Sequence, residues 1–189
     1  MPKERLVAFT DAILAIIMTI LVLELEKPSA LSWSAFWDLR MNFFAYTVSF
    51  FWLGAMWVNL HQSWHDVEKI TNKQVWQSLF LLFFASFFPY ATSIVATNFE
   101  SSVAQGFYGL IVLLVSFANV WMYNSLAHIS SSPKAKLFAI GHNRAMVYDI
   151  AVKIIGLAVS LTIYPPAMMY SVVLAAFFVV GPMSARFTI

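Results

Sequence analysis

Three groups of polar residues in this chain have types and spacings that suit chemistry. Asp149 and Lys153 stand four apart with the acid first, the favourable order for a helical ion pair. They belong to a stripe of His142, Met146, Asp149, Lys153, Gly156 and Ser160, at alternating spacings of four and three. Such a stripe would serve as an ion or proton path, or as a self-neutralising pair packed between helices. Paired charges are the usual solution inside a membrane, which favours the pair. His61 and His65 in HQSWH are also four apart, a spacing that suits zinc. The metalloprotease pattern needs Glu after the first His, and Gln62 stands there. With no cysteine and no clear third ligand, the pattern argues against a metal site. His61 is read instead as bonding another helix, and His65 as lying in a loop beside Asp66. Asp11 has two readings: a member of a buried ionic network, or an acid favoured by the N-terminal helix dipole. No nucleophile–base arrangement or phosphate loop stands out, and hydroxyls such as Ser49 and Ser116 more often tie helices together. Neither an enzyme nor a cofactor is expected.

The composition says what kind of element must carry these residues. Of 189 residues, 61% are apolar and 11% charged, against roughly 25% charged in an ordinary soluble domain. A soluble fold this short cannot hide that much apolar surface from water, whereas a bilayer can. The net charge of +2 gives no argument for a nucleic-acid partner. Glycine is scarce and no internal repeat or linker is visible, so one all-α domain is expected over residues 1–189.

A spanning helix needs roughly 20 mostly apolar residues. Residues 41–64, 74–99, 101–133 and 154–185 are free of Asp, Glu, Lys and Arg. Tyr164-Pro165-Pro166 divides the last of these, because two successive prolines remove two donors and restrict the residue before them. The expected spans are 6–25, 42–64, 75–97, 105–127, 138–162 and 167–185, six in all. Residues 6–25 are read as a retained helix and not a signal peptide: Asp11 interrupts the apolar region, and Glu24, Glu26, Lys27 and Pro28 make a poor cleavage site. With six spans, the inner segments hold Lys3, Arg5, Lys69, Lys73, Lys134, Lys136 and Arg186, and the outer loops only Lys27 and Arg40. Both termini are therefore expected in the cytoplasm. Trp33, Trp37, Trp64 and Trp76 are read as interfacial anchors, and residues 31–40 as a short amphipathic helix on the outer surface.

The first span, RLVAFTDAILAIIMTILVLEL, is the most informative stretch. At 100° per residue, Arg5, Ala12, Ile16, Thr19 and Leu23 share a narrow face with Ile20 at its edge, and Asp11 points well away from it. Apolar residues at this spacing normally face lipid or another helix, so the stripe alone leaves the function open.

Arg5, Phe9, Thr10, Asp11 and Thr19 are also a motif. An Arg, three residues, then Phe-Ser-Asp, with Thr eight residues past the Asp, is the hallmark of the transmembrane protein 175 family of lysosomal and prokaryotic potassium-leak channels. This chain resembles that family over its whole length, in the single-repeat prokaryotic form. It departs from it in Thr10, where another hydroxyl replaces Ser. The resemblance implies a homotetramer in the prokaryotic plasma membrane, passing potassium through a pore lined by four copies of the first helix. It places Ile16, Thr19, Ile20 and Leu23 in the pore. It gives Arg5, Phe9, Thr10 and Asp11 to a network that fixes that helix, with His61 and Asn72 as partners and Trp57 as packing. No TVGYG-like loop is present, so selectivity would come from an apolar constriction and be weak. No Arg-rich helix is present either, so no voltage sensing is expected. The alternative is a small secondary or proton-coupled transporter using Asp149, Lys153 and Asp11. The chain lacks the repeats and broken helices typical of carriers.

Overall fold

The computed structural model describes residues 2–65, 67, 69–129 and 133–184, with side chains described through residue 64, at 67, over 69–129 and over 145–176. Among these the chain is all-α, with α1 Lys3–Leu23, α2 Trp33–Asp38, α3 Arg40–His65, α4 Asn72–Ser86, α5 Phe88–Thr97, α6 Ser102–Ile129, α7 Pro133–Thr162 and α8 Ala167–Ser184. Five stretches among the described residues are long and apolar enough to cross a membrane: Lys3–Leu23, Arg40–Trp64, Asn72–Thr97, Ser102–Ile129 and Ala145–Thr162. At 1.5 Å per residue, the 21 residues of α1 reach about 31 Å, the thickness of a hydrocarbon core. The apolar stretch of α8 with described side chains, Ala167–Ala176, is shorter.

Local chemistry explains where these helices start and stop. The two prolines after Tyr164 separate α7 from α8, and Ser160 Oγ donates to the Pro165 carbonyl at 2.7 Å across the turn. A capping box opens α4: Thr71 Oγ1 accepts from the Lys73 amide, and the Gln74 side chain reaches back to the Thr71 amide at 2.9 Å. Ser32 caps α2 by accepting from the Ala35 amide.

The expected span 75–97 is two helices, α4 and α5, meeting at Phe87. Pro89 is the reason. It has no N–H to give the Ala85 carbonyl, and its ring crowds that turn, so the helix restarts with proline in its first turn. Phe87 bonds back three residues to Phe84 instead.

Trp64 also departs from expectation. It is buried, because Leu53, Met56, Leu60 and Trp64 fall on the inward face of α3. Trp33, Trp37 and Trp76 are exposed.

Polar groups tie the helices where lipid offers no partner. Ser49 of α3, Thr92 of α5 and Tyr108 of α6 form a buried chain, with Thr92 Oγ1 donating to Ser49 Oγ at 2.8 Å and Ser49 Oγ 3.2 Å from the Tyr108 hydroxyl. Gln74 Nε2 donates to Ser125 Oγ at 2.6 Å, joining α4 to α6. Trp52 stacks on Phe88 with ring centres 4.9 Å apart, locking α3 against α5. Helices α7 and α8 lie so close that a Cβ on Gly156 would collide with the Ser171 side chain.

Candidate functional site: the open face of the first helix

Helix α1 has two faces of different fate. Leu6, Thr10, Leu14, Ile17 and Leu21 are buried, at spacings of four, four, three and four, against α3, α4 and α5. About 140° around the helix, Arg5, Phe9, Ala12, Ile16, Thr19, Ile20 and Leu23 are exposed. Ile16 is 56% exposed and Leu23 78%. The chain by itself thus leaves a largely apolar strip of α1 uncovered.

The strip has one polar feature. Thr19 Oγ1 donates to the Ile16 carbonyl at 2.8 Å. Its proton is committed to its own helix, which leaves the hydroxyl oxygen free to accept on the open side.

The edge of α1 that faces α3 carries Asp11. The Trp57 Nε1–H donates to Asp11 Oδ1 at 2.8 Å. One turn on, the His61 ring lies against Trp57, with centres 5.5 Å apart. Met18, on the same edge of α1, packs towards Gly54 of α3, its methyl 3.5 Å from where a Cβ would stand. The helix rotation therefore brings Asp11, Trp57 and His61 together, and Trp57 is a ligand of the carboxylate as well as packing. His61 bonds no other helix among the described residues: its spacing from Trp57 places both on one face of α3.

The structure does not bring Arg5 to Asp11. Six residues apart on a helix, they point about 120° from each other, and Arg5 has no hydrogen bond or ion pair among the described residues. Phe9 is exposed on the open face. Thr10 is buried, and its hydroxyl donates to the Leu6 carbonyl at 2.9 Å. Asn72 is the exposed first residue of α4.

Lys3 holds a place that no local signal marks. Its ammonium donates to the Trp64 carbonyl at 3.3 Å and the Val67 carbonyl at 2.7 Å. A cation on the last carbonyls of a helix satisfies orphan acceptors and suits the negative end of the dipole. Lys3 thereby fastens the start of α1 to the end of α3.

The second polar group lies elsewhere. Asp149 and Lys153 are both buried on α7, bridged at 2.6 Å. Lys153 also donates to Ser116 of α6 at 3.1 Å and sits 4.8 Å from the centre of the Trp52 ring. The side chains of His65 and His142 lie outside the described residues. Among the described residues, no group of three His, Asp or Glu side chains converges as a metal site would require.

Known proteins resemble this chain both in sequence and in fold. Residues 5–89, which contain α1 and its partners on α3, match the family described as endosomal/lysosomal potassium channel TMEM175. A potassium channel of Chryseobacterium sp. (strain P1-3) is 33% identical over 161 residues, covering 85% of this chain and 83% of that protein. A potassium channel of Streptomyces collinus is 30% identical over 122 residues, 60% of this chain and 59% of its own length. The crystal structure of a lysosomal potassium-selective channel TMEM175 homolog from Chamaesiphon minutus superposes with a TM-score of 0.82 at 22% identity, covering 95% of this chain and 97% of that one. The match in sequence across most of the chain, with the fold shared almost end to end, places this membrane protein in the TMEM175 potassium-channel family.

Proposed function

We propose that the chain is a potassium-permeable leak channel of a prokaryotic plasma membrane, with six spans, cytoplasmic termini and four subunits around a central pore. The observation that carries this reading is the uncovered apolar strip of α1. Four such strips facing one axis would give rings of Ile16, Ile20 and Leu23, with Thr19 between them. The relatives named as potassium channels support the choice of ion. Rings of Ile and Leu offer no ligands to an ion. A cation crossing them sheds part of its hydration shell, which potassium does more readily than sodium. The four Thr19 oxygens, with their protons turned to the helix backbone, supply compensating acceptors on the axis side. The resulting selectivity is modest and arises without a carbonyl filter.

In this assembly Asp11, through Trp57, sets the rotation of α1, and Arg5 reaches towards a neighbouring subunit. Asp149 and Lys153 act within the subunit as a neutralised pair, which leaves a carrier mechanism without a free charge to move. Purified protein in liposomes should pass potassium down its gradient, faster than sodium and without saturation or coupling. Native mass spectrometry should find four chains. Coupled, saturable flux would replace this reading with the carrier.

A further inference from the structure

The bundle has a small chamber, lined by polar as well as apolar residues, that α1 does not touch. A cavity of about 30 Å³ lies between α3, α6, α7 and α8, and Asn59, Asn119, Asp149, Lys153 and Ser116 line it, together with Trp52, Met56 and Met146. Among the described residues, three side-chain oxygens of this lining have no hydrogen-bond partner: Asn59 Oδ1, Asn119 Oδ1 and Asp149 Oδ1. Their residues are 3%, 5% and 1% exposed. Three bare acceptors on one small cavity, one of them half of a carboxylate, are costly at bilayer depth unless something donates to them.

We propose that this chamber is a binding site for one or two water molecules that donate to Asn59, Asn119 and Asp149. The size fits, since a water needs about 10–15 Å³ of such space and two to four polar partners. A metal cation suits the site less well. Lys153 already holds the other oxygen of Asp149 and covers the Trp52 face, so an ion on Asp149 Oδ1 would sit beside a like charge. Water donates to the same atoms with no charge. The site lets the Asp149–Lys153 pair stay ionised inside the membrane, because the carboxylate is bonded on both oxygens. It also puts water inside each subunit, away from the α1 face, and does not depend on where the ion passes.

X-ray radiolytic footprinting of the full-length protein in nanodiscs tests this, because hydroxyl radicals form at bound water and oxidise the nearest methionines. Met56 and Met146 line the chamber and are each 5% exposed, while Met122, Met168 and Met169 are 0% exposed and lie outside its lining. The expected result is several-fold faster oxidation of Met56 and Met146 than of the three core methionines. Asn119→Leu should remove that excess and lower Tm, since it strips the water of a partner. Equal, slow oxidation of all five in the wild-type protein would overturn the proposal, whether or not the variant folds. A raised Tm in Asn119→Leu would do the same, because only a dry chamber gains from losing an unpartnered amide. Protection of Met56 and Met146 by potassium or sodium relative to an organic cation, lost in Asn119→Leu, would put an ion there instead of water.

Discussion

The indole of Trp57 donates to the carboxylate of Asp11 across 46 residues of chain, at 2.8 Å, and so couples the rotation of α1 to α3. Hydrogen bonds to charged groups contribute roughly 1.5–3 kcal/mol when buried. Asp11 is only half-buried, so the low end of that range applies. Trp57→Phe and Asp11→Ala should each lower thermal stability by about 1.5 kcal/mol. The double variant should cost clearly less than their sum, because both delete one bond. Additive losses in thermal unfolding would separate the two residues energetically.

Lys3 bonds the Trp64 carbonyl in the last turn of α3 and the Val67 carbonyl just past it. Lys3→Met keeps the aliphatic stem and removes the donor. It should cost about 0.5–1 kcal/mol, falling further into insignificance at high salt for the dipole part of the interaction. Hydrogen exchange at the last turn of α3 should speed up in this variant while the middle of α3 stays protected. Unchanged exchange there would mean that Lys3 is a solvated charge.

Gly156 faces Ser171 with no room for a methyl group. Gly156→Ala should destabilise by about 1–3 kcal/mol, the usual cost of overpacking, despite the better helix propensity of Ala. Ser171→Gly should restore part of the loss in the double variant, measured by thermal unfolding in detergent. A neutral Gly156→Ala would show that α7 and α8 can slide apart freely.

Some of these relationships are visible in the one-dimensional string and others are not. The end of α7 is visible, because two prolines act on the few residues just before them. The separation of the α1 faces is visible too, since helical period alone sets Ile16 and Leu23 roughly 100–180° around the helix from Leu14 and Ile17. The break before Pro89 is equally local, yet it disappears in a reading by hydropathy, which counts apolar content and is blind to one missing donor. The partners of Lys3 and Asp11, and the contacts of Lys153 with Ser116 and Trp52, are of another kind. Each depends on which way a second helix is rotated, and no local spacing encodes that. The motif beginning at Arg5 points to the family, but it does not say what Arg5 meets, and among the described residues Arg5 has no hydrogen bond or ion pair.

Asp149 and Lys153 are both buried, with Lys153 0% exposed. Removing one member leaves the other charge uncompensated, at about 3–5 kcal/mol. Asp149→Asn or Lys153→Met should sharply lower the yield of folded protein. The double change Asp149→Leu with Lys153→Met should be far milder, as an apolar pair of similar volume replaces the ions. Size-exclusion profiles of the three variants check this. Wild-type-like behaviour of both single variants would show that the pair is not needed for folding.

The sharpest test of the pore lies on α1. Ile16 and Leu23 are on the open face, one on each side of Thr19 along the helix, and in a tetramer each substitution changes four side chains in one ring. Ile16→Asn or Leu23→Asn would put four amides where only methyl groups stood, letting water and hydrated sodium persist at the neck. Conductance should rise and the preference for potassium should fall. Met18→Asn is the matched control. It carries the same chemistry, but Met18 packs towards Gly54 of α3, so this change should disturb the α1–α3 contact and lower stability without widening the pore. Potassium and sodium flux in liposomes, together with thermal unfolding of the same preparations, separates the two effects. If Ile16→Asn and Leu23→Asn both stay folded with flux and selectivity unchanged, the ion does not travel along this face of α1, and the open strip is covered by lipid or by another helix.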